Sequence, residues 1–175
     1  MNEGALSELP GGWVWTRLEE VCLYPQYGWT TSAKKEGGLY LLRTTDITSG
    51  NIDWNTVPFC KEEPSEKEKY LLKDGDIVIS RASSVGYSHL IKNPKDAIFA
   101  SYLIRFRPLI DEKYLAYFLK SPFYWISISE KSLGIAIPNV NASKLKQISI
   151  PLPSLPEQRA IVSKIEQLFS DLDNG

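Results

Sequence analysis

A chain of 175 residues with an apolar share of 43% is sized for one domain around one real core, with room for a short appendage. Its 20 basic and 21 acidic residues give a net charge of -1, so any attraction to a polyanion must come from a local patch. Cys22 and Cys60 have no His or Cys at ligand spacing, which supports neither a zinc site nor a disulfide framework and reads as two buried or half-buried thiols in a reducing compartment. The first ten residues lack a leader pattern and no stretch approaches the roughly 18 to 20 apolar residues of a membrane span, so the expectation is a soluble, cytoplasmic protein.

Taken in chain order, Leu9-Pro10-Gly11-Gly12 is a turn signal, and Trp13-Val14-Trp15-Thr16 alternates as a short strand does. Residues 18–23 can form one helical turn. Residues 24–32 place a Pro and a Gly among aromatics and hydroxyls, the composition of an ordered loop. Leu39-Tyr40-Leu41-Leu42-Arg43-Thr44 predicts a strand, Ser49-Gly50-Asn51 a turn, and residues 52–59 a returning strand. Residues 61–69 carry mixed charge and few apolar side chains, as a solvated connector with one helical turn would. Asp74-Gly75-Asp76 is a tight turn before the buried strand Ile77-Val78-Ile79-Ser80.

Arg81 to Tyr87 then leave that strand as a small polar loop, and residues 97–106 alternate as a strand or hairpin arm stopped by Pro108. Asp111 can cap a helix through about residue 120, with Leu115, Phe118 and Leu119 on one face. An aromatic segment follows from Ser121-Pro122 to Trp125, and residues 130–141 read as loop. Gln147-Ile148-Ser149-Ile150 is a last short strand. Ser154 and Glu157 have capping-box spacing with Pro156 in the first turn, so a helix begins there. Along it Ile161, Ile165, Leu168 and Leu172 follow the 4-3-4 spacing of a heptad seam. Such a stripe fits a helix folded back on its own domain or one paired with a partner helix. A length of about 25 Å for roughly 17 residues and the preceding proline-rich segment favour the partner.

Catalytic chemistry leaves few traces. His89 is the single histidine, and Tyr87-Ser88-His89-Leu90 holds no nucleophile motif, so it reads as a loop or surface residue. Phosphate-cradling glycine motifs and paired-histidine metal motifs are missing, and the Asp74-Gly75-Asp76 carboxylates read as a turn. Nucleic-acid binding asks instead for cations, hydroxyl and amide donors, and planar groups. Between residues 77 and 107, Arg81, Lys92, Lys95, Arg105 and Arg107 stand against Asp96 alone, five cations to one acid, which implies a basic face on a neutral protein. Three polar clusters share that chemistry: Tyr27, Trp29 and Thr30; Arg43, Thr44 and Thr45; and Arg81, Ser83, Ser84 and Tyr87.

The order of motifs along residues 9–172 resembles one half of a type I restriction-modification specificity subunit. The resemblance rests on Leu9-Pro10-Gly11-Gly12-Trp13 with Leu18-Glu19-Glu20-Val21, on Tyr40-Leu41-Leu42-Arg43-Thr44-Thr45-Asp46-Ile47, and on Leu72-Lys73-Asp74-Gly75-Asp76-Ile77-Val78-Ile79-Ser80-Arg81. Its most specific run is Gly134-Ile135-Ala136-Ile137-Pro138-Asn139-Val140-Asn141, continuing to Ile150-Pro151-Leu152-Pro153-Ser154-Leu155-Pro156-Glu157-Gln158.

The resemblance implies an α+β fold, a twisted, mostly antiparallel sheet with small packed helices, ending in the start of a coiled-coil spacer helix. It implies a target-recognition domain over residues 1–153 and spacer from 154–175. The function it implies is non-catalytic reading of one half of a split DNA target and docking of methyltransferase subunits. Those partners would bring S-adenosylmethionine; this chain would hold no cofactor or metal, and a restriction and translocase subunit could join later. Double-stranded DNA would be met by Tyr27, Trp29, Thr30, Arg43, Thr44, Thr45, Arg81, Ser83, Ser84, Tyr87, Lys131 and Asn139.

The chain departs from the family in holding a single recognition domain and a spacer stub. It is either a half subunit or fragment that pairs with itself through Ile161, Ile165, Leu168 and Leu172, or a domain with its spacer cut short, monomeric and weak in DNA affinity. A rival reading is an assembly or regulatory fragment that pairs with a specificity or methyltransferase subunit through the helix and hardly binds DNA. A small hydrolase or methyltransferase acting alone would need a cofactor site that the sequence lacks.

Overall fold

The computed structural model describes residues 8–132 and 139–174, and its strands divide among three sheets. β1 (Val14–Arg17) pairs antiparallel with β10 (Ser149–Leu152), setting Val14 opposite Leu152. A four-stranded antiparallel sheet runs in the order β2 (Gln26–Tyr27), β9 (Leu103–Phe106), β6 (Ile77–Ser80), β7 (Ser88–Leu90). The third sheet orders β3 (Ala33–Lys34), β5 (Phe59–Cys60), β4 (Tyr40–Leu42) and β8 (Ala97–Phe99), with β4 and β8 parallel and the other pairs antiparallel. This is the α+β, mostly antiparallel architecture that the sequence implies.

β6 is the seam between two cores. Its side chains alternate faces: Ile77 and Ile79 join Leu18, Ile104, Phe106, Leu115 and Tyr124 on one side, while Val78 joins Leu42, Ile47, Phe99 and Leu103 on the other. Both faces are therefore apolar, as in any strand covered on two sides. Each fully buried aliphatic side chain there contributes about 1.5–3 kcal/mol of transfer free energy.

Two expected strands come out differently. Residues 52–59 do not return as a strand, and only Phe59–Cys60 pairs. The Asp53 carboxylate accepts the amide of Asn55 at 3.0 Å and the Asp53 carbonyl accepts that of Thr56 at 3.0 Å, so local turn bonds take the donors a ladder would need. The alternating run 97–106 breaks where the Leu103 amide donates back to the Ala100 carbonyl at 2.9 Å, and its halves become β8 and β9 in different sheets. Thr44, read as a strand end, opens the short helix α1 (Thr44–Ile47). Residues 24–32 contain β2, the turn at 18–23 is a 3-10 turn over Leu18–Glu20, and the connector carries α2 (Lys67–Tyr70) as its one helical turn.

Asp111 caps α3 (Glu112–Phe118), its carboxylate accepting the amides of Lys113 and Tyr114. The aromatic segment is the helix α4 (Pro122–Ser132), so the expected loop at 130–141 starts later than its composition implies; Gly134 through Pro138 lie outside the described residues. Tyr124 of α4 is buried, and burial holds its phenol far above the ordinary range, keeping it a donor to the Gly86 carbonyl at 2.8 Å. Asn141 caps α5 (Ala142–Lys146). His89 is not in a loop but half-buried in β7, opposite Val78.

The last helix, α6 (Leu155–Asp173), starts where the Glu157 carboxylate accepts both the amide and the hydroxyl of Ser154. Its first turns fold back on the domain. Val162 is buried in the main core and Ile161 packs against it, while Gln158, 3% exposed, accepts the Asp111 amide and donates to the Pro153 carbonyl. Lys113 of α3 meets Glu166 at 2.7 Å. The four-residue seam is thus divided: Ile161 faces its own domain, whereas Leu168 and Leu172 are 49% and 76% exposed.

Candidate nucleic-acid interface

The break at residues 100–102 determines where polar loops gather. The Ala100 amide donates to the Leu42 carbonyl, the Trp29 amide to Phe99, the Gly28 amide to Leu103, and the Arg81 amide to Tyr102. The C-terminal ends of β2, β4, β6 and β8 therefore meet around one three-residue hinge between the sheets. Gly28 permits that approach, because a Cβ there would overlap the carbonyl oxygens of Phe99 and Ala100. Loops leaving strand ends that a rigid pair of sheets holds together are suited to presenting contact residues to a ligand.

At the centre stands Arg81. Its amide is held by Tyr102 and its carbonyl accepts the Val140 amide, each at 2.9 Å, so the backbone is fixed from both sides. Its guanidinium carbon lies 5.2 Å from the centroid of the Tyr27 ring. The Tyr27 hydroxyl in turn accepts the Ala142 amide at 3.0 Å, tying β2 to the start of α5. Arg81 Nε is buried with no hydrogen-bond partner. Asn139 bridges to Ala82 beside it, and Ser83 is exposed with a left-handed φ of 66°. Thr44 joins from the other sheet, its hydroxyl 3.3 Å from that of Ser80, and Thr45 is exposed one residue on.

Other candidates differ in what they already contact. Arg43 donates through Nε and Nη2 to both oxygens of Asp46 at 3.0 and 2.8 Å, and that bonding raises its pKa. Trp29 gives its indole N–H to the Glu62 carbonyl and sets its ring against Tyr70, fixing the connector; Thr30 beside it is exposed. Tyr87 is 45% exposed with its ring against Trp125, and Ser84 accepts the Tyr87 amide within the loop. Lys131, in the last turn of α4, lines a groove with Trp15, Arg17, Phe123 and Gln147 that none of the strand-end residues borders. Sequence reasoning missed Tyr102, 59% exposed on the hinge, because the run around it alternates like a strand. The adjacent Ser101-Tyr102, interrupting the apolar positions, was the available signal.

Three of the five cations expected on a basic face are paired with acids. Lys92 pairs with Asp74 and Glu112, and Arg107 pairs with Asp76 at 3.0 Å. Arg105 is buried, 3.6 Å from Asp76, and donates to the carbonyls of Leu71 and Lys69 and to Gln26. Burial lowers its pKa to about 10 although Asp76 opposes the shift. Hydrogen bonding from Lys92 holds the Asp74 carboxyl below its usual range. The acids that neutralise these cations lie outside residues 77–107, so a count over that segment overstates its charge. Arg81 and Lys95 remain without a carboxylate partner among the described residues.

Among the described residues no group of three His, Cys, Asp or Glu is arranged to hold a metal, and no helix is long and apolar enough to cross a membrane. Cys22 and Cys60 are free and buried, and burial pushes the Cys22 thiol up to about 12.

Residues 10–175 match the family described as type I restriction modification DNA specificity domain. The chain is 31% identical over 188 residues to the type I restriction enzyme StySPI specificity subunit of Salmonella potsdam, covering 99% of this chain and 39% of that protein. It is 30% identical over 181 residues to the MjaVIII specificity subunit of Methanocaldococcus jannaschii, covering 95% and 42%. Among solved structures, the HsdS subunit from Thermoanaerobacter tengcongensis superposes with a TM-score of 0.72 at 24% identity, over 99% of this chain and 41% of that one. A chain from a type I R-M system gives a TM-score of 0.74 at 23% identity, over 98% and 42%. The chain thus spans about two fifths of the length of these relatives.

Proposed function

Since the chain belongs to the type I restriction modification DNA specificity domain family, we propose that it is a non-catalytic, sequence-specific reader of double-stranded DNA that recognises one half of a split target. Residues 1–153 form the reading domain, and 154–175 begin a spacer helix that leads to a second such unit, in the same chain or in another copy. Methyltransferase subunits dock on the assembly and bring S-adenosylmethionine, with a restriction and translocase subunit in the full complex. The observation that carries this reading is the convergence of four strand ends on one hinge, which presents Tyr27, Thr45, Arg81, Ser83 and Tyr102 together.

The test is enrichment of duplexes from a random pool by the purified chain, alone and with its host's modification subunit, together with the mass of each species in solution. Recovery of one defined sequence supports the proposal. A chain that joins the subunit while enriching nothing supports instead an assembly or regulatory role through α6, which the exposed Leu168, Phe169 and Leu172 favour.

A further inference from the structure

We infer that Arg81, stacked on Tyr27, reads a guanine in the major groove of the target, and that Arg43 does not touch bases. The inference rests on the DNA-reading role proposed above. The two arginines sit at neighbouring strand ends with similar sequence surroundings, yet their hydrogen bonding separates them. Arg43 spends Nε and one Nη2 hydrogen on the two oxygens of Asp46, whose Oδ2 also accepts the Arg43 amide, so its charge is matched and its side-on fork is taken, with the guanidinium turned to its own helix start. Arg81 has no ion pair among the described residues, and its Nε is buried without an acceptor. Only its terminal amino groups are left to reach outward.

Immobilisation favours a base over a phosphate. A guanidinium fork fits a phosphate too, but a phosphate is served as well by a solvated, flexible cation that needs no fixed pose, and Lys95, exposed and without an acid partner among the described residues, is of that kind. Arg81 is held differently: its backbone is bonded to Tyr102 and Val140, its guanidinium lies on the Tyr27 ring, and that ring is fixed through its hydroxyl to Ala142. A planar fork of donors with no acceptor, fixed in this way, matches a pair of acceptors at fixed spacing. In the major groove guanine alone offers that pair, through O6 and N7; adenine shows one acceptor beside a donor, cytosine a donor, and thymine one acceptor beside a methyl. Tyr27 is then a positioning residue, acting through Arg81.

The experiment takes the sequence enriched by the wild-type chain and measures its affinity for single-base variants and for duplexes carrying 7-deazaguanine, which lacks the N7 acceptor. One guanine is expected whose replacement weakens wild-type binding roughly 5- to 150-fold. Arg81→Ala removes that preference and leaves the other positions as selective as before. Tyr27→Leu blunts the same position, and Tyr27→Phe, which keeps the ring but loses its tie to Ala142, blunts it less. The 7-deazaguanine arm needs only wild-type protein, so it stands even if Arg81→Ala folds poorly. The inference is overturned if 7-deazaguanine is neutral at every guanine of the site. It is equally overturned if Arg81→Ala weakens all duplexes alike and lowers the salt slope by about 1, the mark of a phosphate contact. Enrichment of no sequence by the wild type removes the reading role itself, a result distinct from a selected sequence that ignores Arg81.

Discussion

Replacing Asp76 by Asn tests what holds the β6 seam in place. The side chain is 3% exposed; one oxygen accepts Arg107 Nε at 3.0 Å and the other the Lys73 amide at 2.9 Å, with buried Arg105 at 3.6 Å. An Asn is the same size but carries one acceptor and two donors, so at least one of these N–H groups would face another donor. Arg105, 4% exposed, would also lose the one carboxylate that pairs with it among the described residues, while its bonds to Leu71, Lys69 and Gln26 stay. Breaking a buried pair from one side costs about 3–5 kcal/mol, a large part of the roughly 5–15 kcal/mol typical of a domain. Urea unfolding should show the midpoint fall with the slope unchanged, and the melting temperature drop on the order of 10 °C. Combined with Arg105→Met, which also frees the carbonyls of Leu71 and Lys69 and the Gln26 amide oxygen, the double variant should lose less than the sum of the two single variants, because the charge each single change strands is gone. A single-variant loss under about 1 kcal/mol, or strictly additive losses, would refute the reasoning.

Gln158→Ala should cost about 2–3 kcal/mol, because it strands the Asp111 amide and the Pro153 carbonyl at a buried site; chemical denaturation reads this directly. His89 has its pKa lowered, first by burial and then by Lys120, so the fold prefers the neutral ring. Its contribution to stability is complete above about 6.5 and is lost as the pH falls through the lower folded value, and His89→Leu should flatten that part of the stability profile. Leu168→Lys with Leu172→Lys should change stability by less than about 0.5 kcal/mol, given their exposure of 49% and 76%. The same pair should abolish any self-association measured by light scattering, and unchanged association would exclude this face as the pairing surface.

What the sequence shows well is what a few neighbouring residues determine. Ser154 with Glu157 and Asp111 with its two amides are caps that act within one helical turn, and Ile77-Val78-Ile79 is apolar on both faces because it separates two cores. What it hides depends on distant partners. The run 97–106 looks continuous, and its break shows only once its halves are seen to pair with β4 and with β6. Residues 52–59 have strand composition, but Asp53 offers nearer acceptors than any facing strand. Trp29 and Arg81 look equally suited to DNA in a list of residue types. Glu62, more than thirty positions away from Trp29, takes the indole's donor, and among the described residues no acid pairs with Arg81.

The pairing of β1 with β10 brings Val14 opposite Leu152, so the polypeptide enters the sheets and quits them for α6 through adjacent points on one ribbon. A unit with neighbouring doorways behaves as a cassette: it can be spliced into a host polypeptide, duplicated in tandem, or exchanged for a relative of different specificity without rethreading its interior. The same closeness lets a few-residue bridge join the two ends, while a cut at an exposed turn such as residues 49–51 supplies new ones. On the function proposed above, selectivity at the hinge and attachment at the ribbon can then vary independently of each other.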